Sequence, residues 1–259
     1  MNQSVLKVAD LLTNAEADRK QISPIVSQLG QGNVEAAYQV QAELTRRGIG
    51  AGRRLVGRKV GLTSVAVQQQ LGVGEPDFGA LFADMEIEHL GSIKIEELIQ
   101  PRIEAEVALV LDRDLDQADT TAAELTRAIA FVAPALEIVD SRIADWKISI
   151  VDTIADNGSS ARYALGDTFR RITDVDLATC GMSMTRNGEI VSVGAGAACL
   201  GHPLKAALWL VRKLASAGAP LRAGDVILTG ALGPMVSVTK GETYEAHILG
   251  LGSVQVRFG

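Results

Sequence analysis

The chain has 259 residues, a formal net charge of -6, and 47% hydrophobic, 22% charged and 4% aromatic residues. That length holds one large domain, or a domain with a smaller appendage, and the composition is that of a globular protein. The acidic balance and the scarcity of aromatics exclude a nucleic-acid surface, which needs clustered Lys and Arg and stacking rings.

At the N-terminus there is no basic stretch followed by a long apolar core, so no secretory signal is read. No run of about 18 apolar residues occurs, which excludes a helical membrane span, and a cytoplasmic location is expected. Val5, Val8, Leu11 and Leu12 follow helical spacing. Asn33 can cap a second helix carrying Val34, Ala37, Tyr38, Ala42 and Leu44, with Gly48 as its stop. Gly-rich segments follow, and from about residue 80 the character turns to strands. Two regions are therefore expected: a helical one over 1–80 and a β-rich catalytic one over 81–259.

Within the second region, Thr121-Ala-Ala-Glu124 reads as a capping box. Leu125, Ile129 and Val132 form the stripe of the helix it opens, with Pro134 as the stop, and Ala135 to Val139 reads as a short buried strand. Asn187-Gly188 is a hairpin turn between alternating segments, and His202-Pro203 opens a further helix. The segment 225–229 is apolar, and those at 236–238, 244–248 and 254–258 keep the period of two expected of strands. Strands and helices do not alternate regularly, so the fold class is α+β, a mostly β roll behind a helical N-terminal region. Cys180 and Cys199 lack metal-ligand spacing and are expected to be reduced and buried.

The most informative stretch is Arg102-Ile-Glu-Ala-Glu-Val-Ala-Leu-Val-Leu111. In a strand, Glu104 and Glu106 share one face while Ile103, Ala105, Val107, Leu109 and Leu111 take the other. Two carboxylates on a half-buried face need neutralising, and a divalent cation with oxygen ligands does so. A solvated edge strand and an ion pair to Arg102 are the alternatives. Glu137, in an apolar strand, would complete a three-carboxylate site, or pair instead with Arg142 or Lys147. Lys59 lies between glycines that allow close approach of a ligand, though a lone lysine is more often solvated. Asp77 fits an Asx turn as well as an active site. Asp152, Asp156 and Asn157 lie in a polar segment that reads as a loop. Its Ser159 and Ser160 could bind a carboxylate or simply form a turn. The three histidines are scattered, and no nucleophile elbow, P-loop or dinucleotide fingerprint occurs.

The stretches Gly57-Arg-Lys-Val-Gly-Leu-Thr-Ser64, Pro76-Asp-Phe-Gly-Ala-Leu-Phe-Ala-Asp-Met85, Pro101-Arg-Ile-Glu-Ala-Glu106, Ala155-Asp-Asn-Gly-Ser-Ser160 and Leu228-Thr-Gly-Ala-Leu-Gly-Pro-Met235 carry a resemblance. Over almost its whole length the chain resembles the bacterial 2-keto-4-pentenoate hydratases of aromatic meta-cleavage pathways, in the fumarylacetoacetate hydrolase superfamily. The resemblance implies a mixed, barrel-like β roll. It implies Mg or Mn on Glu104, Glu106 and Glu137, with Lys59 and Asp77 as catalytic groups over the substrate. It points to Leu62, Ser159 and Ser160 as contacts for the substrate carboxylate. It also implies a homo-oligomer, pentameric or decameric, with an aldolase or decarboxylase as a possible pathway partner. The related 4-oxalocrotonate decarboxylases, and a structural subunit partnering a decarboxylase, are the alternative roles. The superfamily's hydrolases rely on a His-containing dyad, and no His precedes His89.

Overall fold

Strand alternation in the glutamate segment organises the molecule. The computed structural model describes residues 2–259. The chain begins with helices α1 (Gln3–Asp18), α2 (Val26–Leu29) and α3 (Val34–Gly50). It continues through β1 (Leu55–Gly61), α4 (Val65–Leu71), β2 (Asp77–Phe82), β3 (Glu86–Ile87), β4 (Ser92–Ile93) and β5 (Arg102–Leu111). Then come α5 (Ala122–Ala128), β6 (Ile129–Val139), α6 (Ile150–Ala155), β7 (Ser160–Leu165), β8 (Gly181–Arg186) and β9 (Glu189–Ala195). The last elements are α7 (Pro203–Ser216), β10 (Val226–Ala231), β11 (Val236–Ser237), β12 (Thr243–Ile248) and β13 (Gly252–Phe258).

An eight-stranded mixed sheet runs β2-β1-β10-β5-β6-β7-β3, with β11 also pairing with β5. A five-stranded sheet runs β4-β13-β12-β8-β9. The face of β5 carrying Ile103, Ala105, Val107, Leu109 and Leu111 is buried in the main core, together with α7 and the inner face of the second sheet. A separate apolar cluster joins α1 and α3 to Val151, Ile154 and Ala155 of α6. The fold is therefore the α+β roll expected, with a helical N-terminal region. Its helices end at Gly50, and β1 and most of β2, which also fall within 1–80, belong to the main sheet.

Several local readings hold. Asn33 accepts from the Ala36 amide as the cap of α3, and Asn187-Gly188 turns β8 into β9. His202 caps α7 with Pro203 inside its first turn. Cys180 and Cys199 are buried and unbridged. One reading fails. The Thr121 capping box does open α5, but the helix stops at Ala128, and Ile129 and Val132 belong to an eleven-residue strand. β6 pairs with β5 along its length, and this long ladder outweighs the helical spacing of three apolar residues. Pro134 is tolerated within β6 because the ladder to β7 stops at its neighbour Ala135.

Candidate active site

Strand register brings the acidic residues to one end of the main sheet. Glu104 lies opposite Glu137, Glu106 opposite Ala231, and Asp77 opposite Gly61. Because β1 and β10 are parallel and β5 is antiparallel to β10, the segments after β1, after β10 and before β5 meet at this same end. Lys59 on β1 is separated from β6 by two strands, roughly 14 Å along a flat sheet. Yet its Nζ lies 3.2 Å from Oε2 of Glu137. Only a strongly curled sheet allows that contact, and the curl makes the site.

Each of Glu104, Glu106 and Glu137 offers a carboxylate oxygen within 4.8 Å of the others. Glu106 accepts the Gly230 amide at 2.7 Å. Neither oxygen of Glu137, a fully buried residue, accepts a well-formed hydrogen bond: Oε2 has the Lys59 ammonium at 3.2 Å, and Oε1 has no partner. Such oxygens beside two further carboxylates fit a hard divalent cation such as Mg or Mn, which takes oxygen ligands and retains positions for water and substrate. The alternative partners do not engage: Arg142 pairs with Asp156, and Lys147 with Asp145. Arg102 stacks on Trp146.

Lys59 and Asp77 are 3% and 1% exposed, so Lys59 is not the solvated group that sequence alone left open. Thr153 Oγ1 donates to Oδ2 of Asp77 at 3.2 Å, while Oδ1 has no donor. Gly61 is required here, because a Cβ would lie 2.1 Å from Asp77 Oδ1. Burial disfavours the Lys59 ammonium, but Glu137, Asp77, Glu104 and Glu106 outweigh it and hold its pKa above the ordinary value. Burial pushes Asp77 up, against the pull of Lys59. Burial, and then Glu137, pushes Glu104 up to about 7, and the same two causes raise Glu106 well above the carboxylate range.

A pH dependence follows. Between the ordinary carboxyl value and the raised one, the native metal-free protein binds more protons than the unfolded chain. Its stability therefore falls as pH rises through that window. We expect the melting temperature in chelator to drop between pH 5 and 8, with a shallower drop in Glu104→Gln. Added Mg should flatten the wild-type curve, since metal binding favours the deprotonated ligands. Thermal melts across this pH range check it, and identical slopes for wild type and variant would contradict it.

The cleft above these groups has a volume of about 510 Å3. Lys59, Leu62, Asp77, Glu104, Glu106, Thr153 and Ser159 line it at one side, and Val67, Trp146, Ile148, Pro234 and Met235 supply apolar walls. Leu62 adopts a left-handed backbone conformation, φ 57°. Ser159 Oγ donates to Asp156. Ser160 is not brought to the cleft: it lines a separate cavity with Arg142 and Asp156, and its buried hydroxyl has no partner. The segment read as a loop is a short helix with anchors. Asp152 accepts from the Ile25 and Val26 amides and caps α6, Asp156 holds Arg142, and Asn157 bonds both the N–H and C=O of Ala80. Sequence reasoning missed Thr153 and Trp146. Neither carries a signal in the sequence that sets it apart: Thr153 lies i,i+3 from the anchor Asp156, and residues so spaced share a helix face.

A family model for the C-terminal region of fumarylacetoacetate (FAA) hydrolases matches residues 49–258. The chain is 54% identical over 255 residues to the TodF product hydratase of Pseudomonas putida, covering 98% of this chain and 95% of that one. It is 53% identical over 252 residues to the 2-keto-4-pentenoate hydratase of Paraburkholderia xenovorans, covering 97% and 94%. Among solved structures, the 4-oxalocrotonate decarboxylase from Pseudomonas putida G7, complexed with magnesium and adipate, matches with a TM-score of 0.96. Identity is 36%, over 100% of this chain and 98% of that one. The matched region holds every residue of the carboxylate cluster, and the chain belongs to the fumarylacetoacetate hydrolase family.

Proposed function

We propose that this chain is a metal-dependent hydro-lyase that adds water to 2-hydroxypenta-2,4-dienoate to give 4-hydroxy-2-oxopentanoate. The observation that carries the reading is the convergence of Glu104, Glu106 and the buried Glu137 beside Lys59, with Lys59, Glu104 and Glu106 lining one cleft, in a chain more than half identical to named hydratases. Glu104, Glu106 and Glu137 would hold Mg or Mn, and the ion would supply Lewis-acid polarisation of an α-keto acid.

The chain's own residues do the rest. Ketonisation moves a proton to C5 of the dienol, water adds at C4, and C3 is reprotonated. Lys59 holds or protonates the 2-oxygen, while Asp77, oriented by Thr153, transfers the proton or orients the water; the two roles are exchangeable. Leu62 and Ser159, both on the cleft wall, are the contacts assigned to the substrate carboxylate. The protein would work in the cytoplasm as a homo-oligomer, pentameric or decameric, in aromatic catabolism beside an aldolase or decarboxylase.

The structural likeness to a decarboxylase favours one second reading, decarboxylation of 4-oxalocrotonate. Its dicarboxylate substrate would need a partner for the distal charge, and among the described cleft residues Lys59 is the one cation. A purely structural subunit would have no use for the carboxylate cluster. We expect Mg-dependent ultraviolet loss of 2-hydroxypenta-2,4-dienoate, with 4-hydroxy-2-oxopentanoate as the product by NMR. CO2 release from 4-oxalocrotonate should be slower by about 100-fold or more in kcat/KM. The reverse preference would establish the decarboxylase.

A further inference from the structure

Two consecutive residues that are not glycine, Asp145 and Trp146, hold φ of 57° and 55°. Left-handed backbone at such residues is strained and persists only where the surroundings impose it. The surroundings here are specific. Trp146 Nε1 donates to the Gln100 carbonyl at 3.1 Å, and the Arg102 guanidinium carbon stacks 4.5 Å from the indole centroid. Arg102 Nη1 also lies 3.6 Å from Met235 Sδ. Arg102 shares the β5 face with Glu104 and Glu106 but sits one step further out, toward the start of the strand. Trp146 and Met235 line the cleft, whereas Arg102, which touches both, does not.

We propose that Trp146, pinned between Gln100 and Arg102, is the specificity-determining wall of the cleft: it limits the length of the substrate tail and screens the Arg102 charge from it. The proposal rests on the hydratase reading and adds to it the class of dienoate accepted, one with a short, uncharged end. Besides Trp146, the apolar lining of the cleft is Val67, Ile148, Pro234 and Met235, the last joined to Trp146 through Arg102, so an apolar terminus is matched and a terminal carboxylate there would be buried without a partner. Removing the indole does two things at once. It opens space for additional carbons, and it uncovers a guanidinium whose planar fork suits a carboxylate. A single substitution should therefore change both the length and the charge of the tail accepted.

The test compares kcat/KM for three substrates in Mg-loaded full-length protein. These are the five-carbon dienoate, its six-carbon homologue 2-hydroxyhexa-2,4-dienoate, and the carboxylate-tailed 2-hydroxyhepta-2,4-diene-1,7-dioate. In Trp146→Ala the six-carbon to five-carbon ratio should rise by about tenfold or more, the discrimination one methylene provides in an apolar pocket. The dicarboxylate ratio should also rise, by about 100-fold. In Trp146→Ala combined with Arg102→Met, the six-carbon gain should persist and the dicarboxylate gain should disappear. Trp146→Phe keeps an aromatic plate and so preserves the fold, and it should give a smaller rise of about threefold in the six-carbon ratio.

Ratios unchanged from wild type in either single variant overturn the wall. A dicarboxylate gain that survives loss of Arg102 overturns the screening role. Absolute turnover of the five-carbon substrate by wild type reports on the hydratase reading separately. A wild type inactive on all three substrates overturns that reading and the wall with it, whereas an active wild type with unmoved variant ratios overturns the wall alone.

Discussion

Lys59→Met should lower kcat/KM for the dienoate by about 10²–10⁴, the span that general acid–base help contributes. In free energy this is about 3–5 kcal/mol of lost transition-state stabilisation. The lysine is buried, its Nζ is 3.2 Å from Glu137, and it is the one cation among the described residues lining the cleft. Methionine preserves the length and apolar stem of the side chain while removing the donor and the charge. Breaking a buried ion pair can cost about 3–5 kcal/mol of stability, which has to be separated from a loss of chemistry. Here the metal-free site has a way to relax. Burial already raises the carboxyls of Glu104 and Glu106, so they take up protons when the ammonium is gone. Circular dichroism and a cooperative melt in chelator should therefore show a folded variant. Steady-state kinetics on that variant then give the chemical cost, and a near-normal rate would remove Lys59 from the mechanism.

Alternation made one face of the site legible. Glu104 and Glu106 sit two apart in an apolar strand, and a period of two leaves no choice about which side chains share a face. The opposite face of β5 is buried in the main core as that pattern requires. The third carboxylate was legible as an anomaly, an ionisable residue in Ala-Pro-Ala-Leu-Glu-Ile-Val, but its partner was not. Opposing Glu137 to Glu104 needs the β5–β6 register, and meeting Lys59 needs the curl of the whole sheet. Both are long-range properties that local spacing does not encode.

The β6 misreading has the same origin. Ile129 and Val132 fit a helical stripe in isolation, and only the ladder with β5 makes them strand residues. In the other direction, Asp152, Asp156 and Asn157 looked like a loop because polar residues cluster there. They are buried or half-buried anchors, each satisfied by a backbone or side-chain partner distant in sequence. A cluster of polar residues reports that hydrogen bonds are being made, without reporting with what. The family resemblance supplied roles that spacing could not, and the geometry sorts them: Lys59, Asp77, Leu62 and Ser159 reach the cleft, and Ser160 faces elsewhere.

The second large effect concerns the ion itself. Three carboxylates and Asp77 surround a single ammonium, and the buried Glu137 has that ion pair as its one partner, with Oε1 unpaired. Left in that state, the site is electrostatically frustrated, and it resolves by taking up protons or by holding a cation. Lewis-acid polarisation is worth several kcal/mol, so loss of the cation should cost at least about 10²-fold in turnover. Losing an outer-shell partner of a metal ligand already weakens binding by about 10–100-fold, so Glu137→Gln, which alters a proposed direct ligand, should raise the Mg needed for half-maximal rate by at least about tenfold.

The most direct measurement follows ultraviolet loss of 2-hydroxypenta-2,4-dienoate by enzyme dialysed exhaustively against EDTA, before and after titration with Mg or Mn. The account predicts near-background conversion in the dialysed enzyme, recovery on adding either metal, and a displaced titration for Glu137→Gln. Undiminished conversion after dialysis, or an identical metal titration for wild type and Glu137→Gln, would contradict it.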